Sequence, residues 1–186
     1  GFGTPQASDD YVWELFTQSD GKVVIGGSFA KLNGHTKGNI GRINADGTTD
    51  TSFQPLMGAD VMVRCSAVQS DGKILIGGEF SEVNGVLQKY LARLNADGSL
   101  DTSFNWIVNG IVDVIHVLDD GSMLIGGAFD TVNGIARKSA FKLNSNGTLD
   151  LVFNPQIPNQ SCQTLTIRER ADGKIMVGGM YYNNNT

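Results

Sequence analysis

Short apolar runs bounded by glycine turns recur along this chain, always with the same order of apolar and polar positions. Asp-Gly is followed closely by three consecutive apolar residues, a Gly-Gly pair and then an aromatic residue. This pattern occupies residues 20–29, 71–80, 120–129 and 172–181, whose first residues lie 51, 49 and 52 positions apart. A period of this size indicates a chain built from stacked copies of one structural unit.

Two further marks follow in the first three units. An Asn-Gly pair stands at 33–34, 84–85 and 133–134. A longer block then runs from a cation through Asn-x-Asx-Gly to a phenylalanine, at 42–53, 93–104 and 142–153. Chance does not produce three marks in register, so the repeat covers nearly the whole chain.

Each unit is interpreted as four short antiparallel strands. In the second unit they occupy 61–70, 73–80 and 90–95, with a short fourth strand ending at Phe104. Asp-Gly and Asn-Gly between apolar runs favour hairpins, because type I′ turns need φ > 0 at both central residues. The apolar triplets do not alternate with polar residues, which predicts strands covered on both faces. Since the chain shows no sustained helical period, the fold class is all-β.

A four-stranded unit of about fifty residues, covered on both faces, has the size of a propeller blade. The sequence therefore predicts a β-propeller-type repeat, with an open β-solenoid as the alternative architecture. The double glycine suits a close backbone approach or a β-bulge where neighbouring elements crowd.

The unit at 61–104 resembles the delta-60 repeat family through its Asp-Gly-Lys-Ile-Leu-Ile-Gly-Gly, Val-Asn-Gly and Asn-Ala-Asp-Gly-Ser-Leu-Asp motifs. Its double glycine is also similar to that of kelch blades. The resemblance implies a β-propeller in bacterial surface or secreted proteins, or in phage structural proteins, and it transfers no catalytic motif. Departures from the pattern are Trp106, where the other units have Pro55 and Pro155, and the fourth unit beyond Tyr181.

The chain is interpreted as one repeat domain of about 3.6 units that forms a partial or small propeller. Phe2 lies 18 positions before Asp20, as Phe53 does before Asp71, so the first residues match the tail of a preceding unit. We favour a piece of a longer propeller over a small ring with an incomplete last blade. The predicted divisions are 1–10 for that tail, then 11–60, 61–110, 111–160 and an incomplete 161–186.

Composition narrows the class of protein further. Of 186 residues 24 are glycine and only 4 proline, without a Gly-X-Y period, which excludes collagen and argues against disorder. The net charge of −5 argues against nucleic acid as a partner, because phosphate contacts need a basic face. No apolar run approaches the roughly 18 residues of a membrane span, and the first residues lack the pattern of a signal peptide.

The segment from Asn44 to Asp50 resembles half of a calcium loop, and this raises the question of a metal. Arg42 stands where such a loop would have its leading acid, and Arg93 and Lys142 are its counterparts. A fixed cation there favours internal salt bridges, from Arg42 to Asp50 and from Arg93 to Asp101, over a metal site.

No constellation for catalysis is found. His35 and His116 occupy unrelated positions without a paired acid, and Cys65 and Cys162 are interpreted as free buried thiols. The Gly-Gly pairs lack the Gly-Lys-Ser/Thr of a phosphate loop. We therefore expect no enzyme, no catalytic residue and no cofactor.

A charged rim is the one candidate binding feature. In a propeller, the loop between the second and third strands lies on one face and the Asp-Gly turns lie on the other. The candidate ligand residues on that first face are Lys37, Lys89, Tyr90, Trp106, Arg137 and Lys138. These residues could bind an anionic polymer or another subunit. Ordinary surface charge also explains the pattern. Lys22, Lys73 and Lys174 lie beside the Asp-Gly turns and reduce the difference in charge between the two faces.

The leading interpretation is a non-enzymatic structural or recognition module of a surface, secreted or virion protein. Its expected partners are proteins or further repeats of the same chain, with polysaccharide and oligomer formation as further options. The alternative is a carbohydrate-binding receptor module that uses Trp106, Tyr90 and Asn105. A third option is an enzyme whose axial site is completed by repeats outside this chain.

Overall fold

The computed structural model describes residues 8–53, 58–155 and 161–182. Residues 1–7 with Phe2, Pro55 and the end of the fourth unit at 183–186 lie outside this part of the chain. The described part contains seventeen strands and no helix, and its strands are β1 (Val12–Thr17), β2 (Val23–Gly27), β3 (Lys31–Leu32), β4 (His35–Thr36), β5 (Ile40–Ile43), β6 (Val63–Val68), β7 (Ile74–Gly78), β8 (Glu82–Val83), β9 (Val86–Leu87), β10 (Leu91–Leu94), β11 (Ile111–Val117), β12 (Met123–Ala128), β13 (Thr131–Val132), β14 (Ile135–Ala136), β15 (Ala140–Leu143), β16 (Ser161–Glu169) and β17 (Ile175–Tyr182).

Eleven of these strands form four antiparallel sheets, which we call blades 1 to 4. Blade 1 has the strand order β1-β2-β5, blade 2 has β6-β7-β10, blade 3 has β11-β12-β15, and blade 4 is the pair β16-β17. A hairpin of two-residue strands connects the second and third strand in each of the first three blades: β3-β4, β8-β9 and β13-β14. The all-β, propeller-type fold predicted from the sequence is confirmed.

The predicted fourth strand is reduced to a single bridge. Thr49 pairs with Ile43, and the equivalent bridges are Leu100 with Leu94 and Leu149 with Leu143. The next residue, Asp50, accepts hydrogen bonds from the backbone N–H and the hydroxyl of Ser52. This Asx turn bends the chain away from the sheet after one pairing, so a longer strand does not form.

The hydrophobic core lies between the blades. The first strands β1, β6, β11 and β16 contact one another in order, so they are the innermost strands of a fan. Separate apolar clusters fill the interfaces between blades 1 and 2, blades 2 and 3, and blades 3 and 4. Residues of one apolar triplet belong to both sides of a blade: Leu75 packs toward blade 3, while Ile74 and Ile76 pack toward blade 1. The central strand of a stacked blade is therefore covered on both faces, as the apolar triplets predict.

The two kinds of glycine turn differ in conformation. At Asp20-Gly21, Gly21 has φ = 80°, and Gln18 and Lys22 close a three-residue loop through Gln18 N–H to Lys22 O at 2.7 Å. The prediction of a type I′ turn there is wrong, because a three-residue hairpin needs positive φ only at its last residue. At Asn33-Gly34 both φ values are positive, 48° and 79°, which is the type I′ geometry.

The double glycines of blades 1 to 3 combine the two roles expected from the sequence. A Cβ on Gly26 would lie 2.8 Å from Cγ1 of Val63 in the next blade. A Cβ on Gly27 would meet the carbonyl oxygen of Tyr11, where a β-bulge interrupts the pairing of β1 with β2. The first glycine therefore admits the neighbouring blade, and the second admits the bulged strand of its own blade.

Gly26→Ala should lower the free energy of unfolding by about 2 kcal/mol, because the added methyl group overpacks a closed interface. Urea denaturation measures this loss. Val63→Ala removes the methyl groups that Gly26→Ala would strike, so the double variant should be more stable than the sum of the two single effects predicts. Strictly additive losses would contradict this contact between blades 1 and 2.

Candidate functional site

Each of the first three blades has two kinds of connection, three-residue turns and a short hairpin. Because β2 is antiparallel to both β1 and β5, the three-residue turns at 18–22 and 44–48 lie at the same end of blade 1. We call this the turn face. The β3-β4, β8-β9 and β13-β14 hairpins follow the second strand of their blades. In blades 1 and 2 the hairpin tip folds back to the turn after the third strand, where Nδ2 of Asn33 donates to the carbonyl oxygen of Gly47 at 3.4 Å and Nδ2 of Asn84 donates to that of Gly98 at 3.4 Å. The expectation that this loop lies wholly on the face opposite the Asp-Gly turns is therefore wrong. We call the surface formed by the three hairpins the hairpin face.

Two of the predicted rim cations are buried on the hairpin face. Lys37 is 7% exposed, and its Nζ donates to the carbonyl oxygens of Phe53 at 2.6 Å and Asp50 at 3.3 Å. Arg137 is 6% exposed, and its Nη2 donates to the carbonyl oxygen of Asp150 at 3.4 Å. Burial lowers the pKa of Lys37, with Asp50 opposing the shift. These two side chains brace the chain beneath the surface and are not part of an open rim.

Gln88 occupies the equivalent position in blade 2. Its Nε2 donates to the carbonyl oxygens of Leu91 at 2.7 Å and Trp106 at 3.2 Å. Counting three positions on from each Asn-Gly pair gives Lys37, Gln88 and Arg137. All three are long side chains that donate hydrogen bonds to backbone carbonyl groups. Because Gln88 is neutral, this position does not require a positive charge.

The other rim candidates are more accessible. Lys89 is exposed and Lys138 is half-buried. Tyr90 and Trp106 are also half-buried, and both pack against the apolar cluster between blades 2 and 3. Tyr90 has φ = 63°, a left-handed conformation that it shares with Asn39 and Ser139. The structure therefore places both aromatic rings largely in support of the blade interface.

Large aliphatic side chains are exposed on the same face, and the sequence interpretation did not include them. We define the rim patch as Val86, Leu87, Ile107 and Ile135, which are 46%, 69%, 70% and 43% exposed. The blade 1 residues at the positions of Val86 and Leu87 are the polar His35 and Thr36. The available signal was this departure from the first unit, at positions directly after the Asn-Gly pair.

Hydrogen bonds connect the backbone segments that carry the rim patch. Gln88 follows Leu87 and binds the carbonyl oxygen of Trp106, as described above. The next residue, Ile107, donates its N–H to Oδ1 of Asn133 at 2.7 Å, and the N–H of Asn133 donates to the carbonyl oxygen of Ile107 at 2.7 Å. The segment 106–107 thus connects the hairpin of blade 2 to that of blade 3, which presents Ile135.

A polar network lies at the bulge of the innermost strands. Arg64 pairs with Glu79 of its own blade and, at 2.7 Å, with Asp113 of blade 3. Gln163 of blade 4 donates to Asp113 at 2.8 Å. Glu79 and Asp113 hold the pKa of Arg64 above its usual value against the opposing effect of burial. Since these charges are satisfied by one another, the network fixes the mutual orientation of blades 2, 3 and 4.

The segment that resembles a calcium loop contains the salt bridge from Arg42 to Asp50 that the sequence predicts. We call Asp50 with its partners Arg42 and Lys22 the clamp of blade 1. Asp50 is 4% exposed and accepts hydrogen bonds from Arg42 Nε at 2.9 Å and Lys22 Nζ at 3.0 Å. The guanidinium of Arg42 lies over the ring of Phe53, 4.6 Å from its centroid. Blade 2 repeats the arrangement around its own acid, and its members are Asp101, Lys73, Arg93 and Phe104. Among the described residues, no group of three His, Cys, Asp or Glu side chains could hold a metal ion.

Hydrogen bonding also determines the protonation of the clamp. Burial opposes ionisation of Asp50, but hydrogen bonds from Ser52, Lys22 and Arg42 outweigh it and hold the pKa of this carboxyl well below its usual range. The same balance, with Ser103 and Lys73, lowers the pKa of Asp101. Both acids are therefore ionised in the folded protein at neutral pH.

The histidines and cysteines do not come together. His35 is exposed on the hairpin face, and His116 lies on β11, where burial lowers its pKa. Cys65 is buried and Cys162 half-buried, and both are free thiols, as expected. Burial raises the pKa of Cys65 well above the usual thiol value, so it is an unreactive core residue.

Comparison with known families agrees with this geometry. The model of the family described as domain of unknown function (DUF5122) beta-propeller matches residues 18–53, 69–104 and 118–153, more than half of the chain. The chain belongs to this family. Each match begins at the three-residue turn after the innermost strand and ends at the phenylalanine beyond the bridge. The DUF5122 unit therefore coincides with the part of each of these blades that carries the double glycine and the hairpin, and in blades 1 and 2 it also contains the clamp.

Solved structures show the same fold. The chain is similar to the WD40 beta propeller domain of Doa1, with 18% identity and a TM-score of 0.62, over 94% of this chain and 49% of that one. It is also similar to the extracellular domain of the hybrid two component system BT3049 from B. thetaiotaomicron, with 19% identity and a TM-score of 0.52, over 90% of this chain and 19% of that one. The chain thus spans about half of the first structure and a fifth of the second. No curated protein sequence matches it.

Asp50→Asn should lower the free energy of unfolding by about 3 kcal/mol at neutral pH, because Arg42 would stay buried without a carboxylate. The folded pKa of Asp50 lies below the value of about 3.9 for an unfolded chain, so the stabilisation is complete above that pH and disappears as the pH falls through the folded pKa. Denaturation curves of both proteins should therefore converge in acid.

Asp150→Asn is the matched control in blade 3, where Ser122 and Lys142 replace the lysine and arginine of the clamp. Among the described residues no cation pairs with Asp150, so this variant should lose less than half as much stability. Equal losses at the two positions would show that the acid acts through its turn and that the clamp cations contribute little.

Proposed function

We propose that this DUF5122 propeller is a non-enzymatic recognition module that binds another protein through its hairpin face. The observation that carries the proposal is the rim patch, in which Leu87 and Ile107 are each more than two-thirds exposed. The four residues lie on segments that hydrogen bonds connect, and groups of exposed apolar side chains mark interaction surfaces more often than single ones do.

The surroundings of the patch favour a protein partner. Lys89 follows Leu87 by two positions in blade 2 and Lys138 follows Ile135 by three in blade 3, so a cation accompanies the apolar residues of both hairpins. Protein interfaces combine an apolar core with a polar rim, and rim charges mainly steer association. The partner that fits is a protein surface with an apolar anchor and acidic residues around it.

The use of polar residues in the repeats supports a role without catalysis. The recurring acids form turns and clamps, and the recurring long donors brace backbone carbonyl groups. Residues committed to the fold in this way are not free to act as nucleophile, base and orienting group. Binding is therefore the function that these blades support best.

We also propose that the protein acts outside the cytoplasm, at a cell surface, in a secreted protein or on a virion. The resemblance of the unit to delta-60 repeats supports this, and one similar structure is an extracellular domain. Within the described residues, no helix has the length and apolarity needed to cross a bilayer. The chain spans only part of the similar structures. A recognition role for a larger protein that contains this chain is therefore also a proposal.

A random peptide display library, selected on the purified protein, tests the hairpin face directly. Selected peptides should carry large apolar residues with neighbouring acids, and Leu87→Ser with Ile107→Ser should weaken their binding at least tenfold. Binding should also weaken with added salt, since Lys89 and Lys138 steer the acids. Fluorescence polarisation of the labelled peptides gives both numbers.

Val152→Ser is the matched control, because Val152 is 94% exposed but lies in blade 3 after the bridge, outside the rim patch. It should leave peptide affinity unchanged. Peptides that bind the Leu87 and Ile107 variant as tightly as the original protein would exclude the rim patch as the binding surface.

A further inference from the structure

Five Asn-Gly pairs occur in the chain, and one of them lies in a turn of a different kind from the others. Asn33, Asn84 and Asn133 occupy the type I′ turns of the hairpins, and Asn109 lies two residues before β11. Asn146 lies in the three-residue turn 144–148 of blade 3. Asparagine loses its side-chain amide most readily before glycine, because glycine has no Cβ to shield the backbone nitrogen that attacks the amide.

Hydrogen bonds to distant segments hold the side chains of the other four asparagines. Their partners lie between 14 and 26 positions away in the chain. The bonds join Asn33 to Gly47, Asn84 to Gly58 and Gly98, Asn109 to Asp130 and Thr131, and Asn133 to Ile107. These four amides can react only after one segment of the fold has separated from another.

The side chain of Asn146 is held by its own turn. Its Oδ1 accepts the N–H of Thr148 at 3.0 Å and the hydroxyl of Thr148 at 2.8 Å. The N–H of Gly147, whose nitrogen is the attacking atom, donates to the carbonyl oxygen of Asn144 in the same turn at 2.8 Å. Asn146 is exposed, and no described residue accepts a hydrogen bond from its Nδ2. Opening of this single turn therefore frees all the reacting atoms in the presence of water.

The other blades show that the turn accepts an acid at this position. Blades 1 and 2 have Asp46 and Asp97 there. Oδ1 of Asp46 accepts the hydroxyl of Thr48 at 2.6 Å and the N–H of Thr48 at 2.9 Å, which are the two bonds that Asn146 accepts in blade 3. These bonds lower the pKa of Asp46, so the turn holds the acid in its charged form. An aspartate at position 146 is therefore compatible with the fold of the blade.

We propose that Asn146 is a site of spontaneous deamidation, which converts it to the residue that blades 1 and 2 already carry. The nitrogen of Gly147 forms a bond to Cγ of Asn146, the bond from Cγ to Nδ2 breaks, and the amide leaves as ammonia with the proton that Gly147 gives up. Water then opens the cyclic imide. Cleavage at Cγ gives aspartate, and cleavage at the backbone carbonyl carbon gives isoaspartate, whose main chain runs through the side chain. Either product makes the net charge one unit more negative than −5.

The rate at each of the five pairs can be measured in one experiment. The purified chain is incubated at mildly alkaline pH in water enriched in oxygen-18, and the products are digested and located by tandem mass spectrometry. Asn146 should react about tenfold faster than the fastest of the other four, since opening one turn costs less than separating two segments. The chain unfolded in urea is the control, and there all five pairs should react at similar rates.

Thr148→Val tests the contribution of the turn itself. The variant keeps the size of the side chain but removes the hydroxyl that binds Oδ1, so Asn146 should react severalfold faster while the other four rates stay unchanged. Thr48→Val is the matched control, because it removes the equivalent hydroxyl from Asp46 and should leave the rate at Asn146 as it was.

Asn146→Asp reproduces one of the two products. It should give an unchanged circular dichroism spectrum and unfold at the same urea concentration as the original chain. A marked loss of stability would mean that the turn of blade 3 does not accept the product.

Two results of the rate measurements would overturn the proposal. Equal rates in the folded chain, or a faster reaction at any of the other four asparagines, would mean that the turn does not select Asn146. An unchanged rate in Thr148→Val would mean that the hydrogen bonds of the turn do not limit the reaction.

Discussion

Face-to-face packing of β-sheets at close range is the constraint on which this structure depends. A blade can stack on its neighbour only where one sheet offers a surface without side chains and the next offers a β-branched residue to fill it. Gly26 and Val63 form such a pair, and the same contact recurs at Gly77 and Val112. Because protein interiors are packed as densely as organic crystals, a single methyl group at such a glycine has no space. The Gly-Gly pair and the apolar triplet before it are therefore both consequences of stacking.

The polar features follow from the same stacking. Since both faces of a blade are covered, charged side chains reach solvent or a partner at the ends of the strands, next to the turns. Arg42 shows how this is done: its guanidinium stacks on Phe53, pairs with Asp50 and donates to the carbonyl oxygen of Ala96 in the next blade. Asp50 in turn ends the pairing after Thr49 and redirects the chain toward the following blade. One set of contacts thus terminates a strand, neutralises two charges and joins neighbouring blades.

Those parts of the fold that repeat could be predicted from the sequence, and those that depend on geometry between elements could not. The glycine positions identified the blades, and the cation at position 42 correctly indicated a salt bridge to Asp50. The turn at Gly21 was assigned the wrong type, because a dipeptide motif does not reveal how many residues the flanking strands leave for the loop. Lys37 was expected on the surface because it is charged. Its burial depends on the hairpin folding back over residues 50–53, a contact that no periodicity encodes, although Gln88 at the same position hinted that charge was not required.

The repeats also help to separate function from folding. A position that carries the same chemistry in every unit is explained by a turn, a brace or a blade interface, and it says nothing about a partner. Positions that change between units are different: His35, Val86 and Ile135 follow the same Asn-Gly turn and are all exposed. The fold accepts any of them, so folding alone does not account for aliphatic side chains in two units and an imidazole in the third. The exposed part of an apolar side chain gives the folded chain no packing energy, and it carries a risk of aggregation. Their presence at Val86, Leu87, Ile107 and Ile135 is therefore the feature on which the proposed protein partner rests.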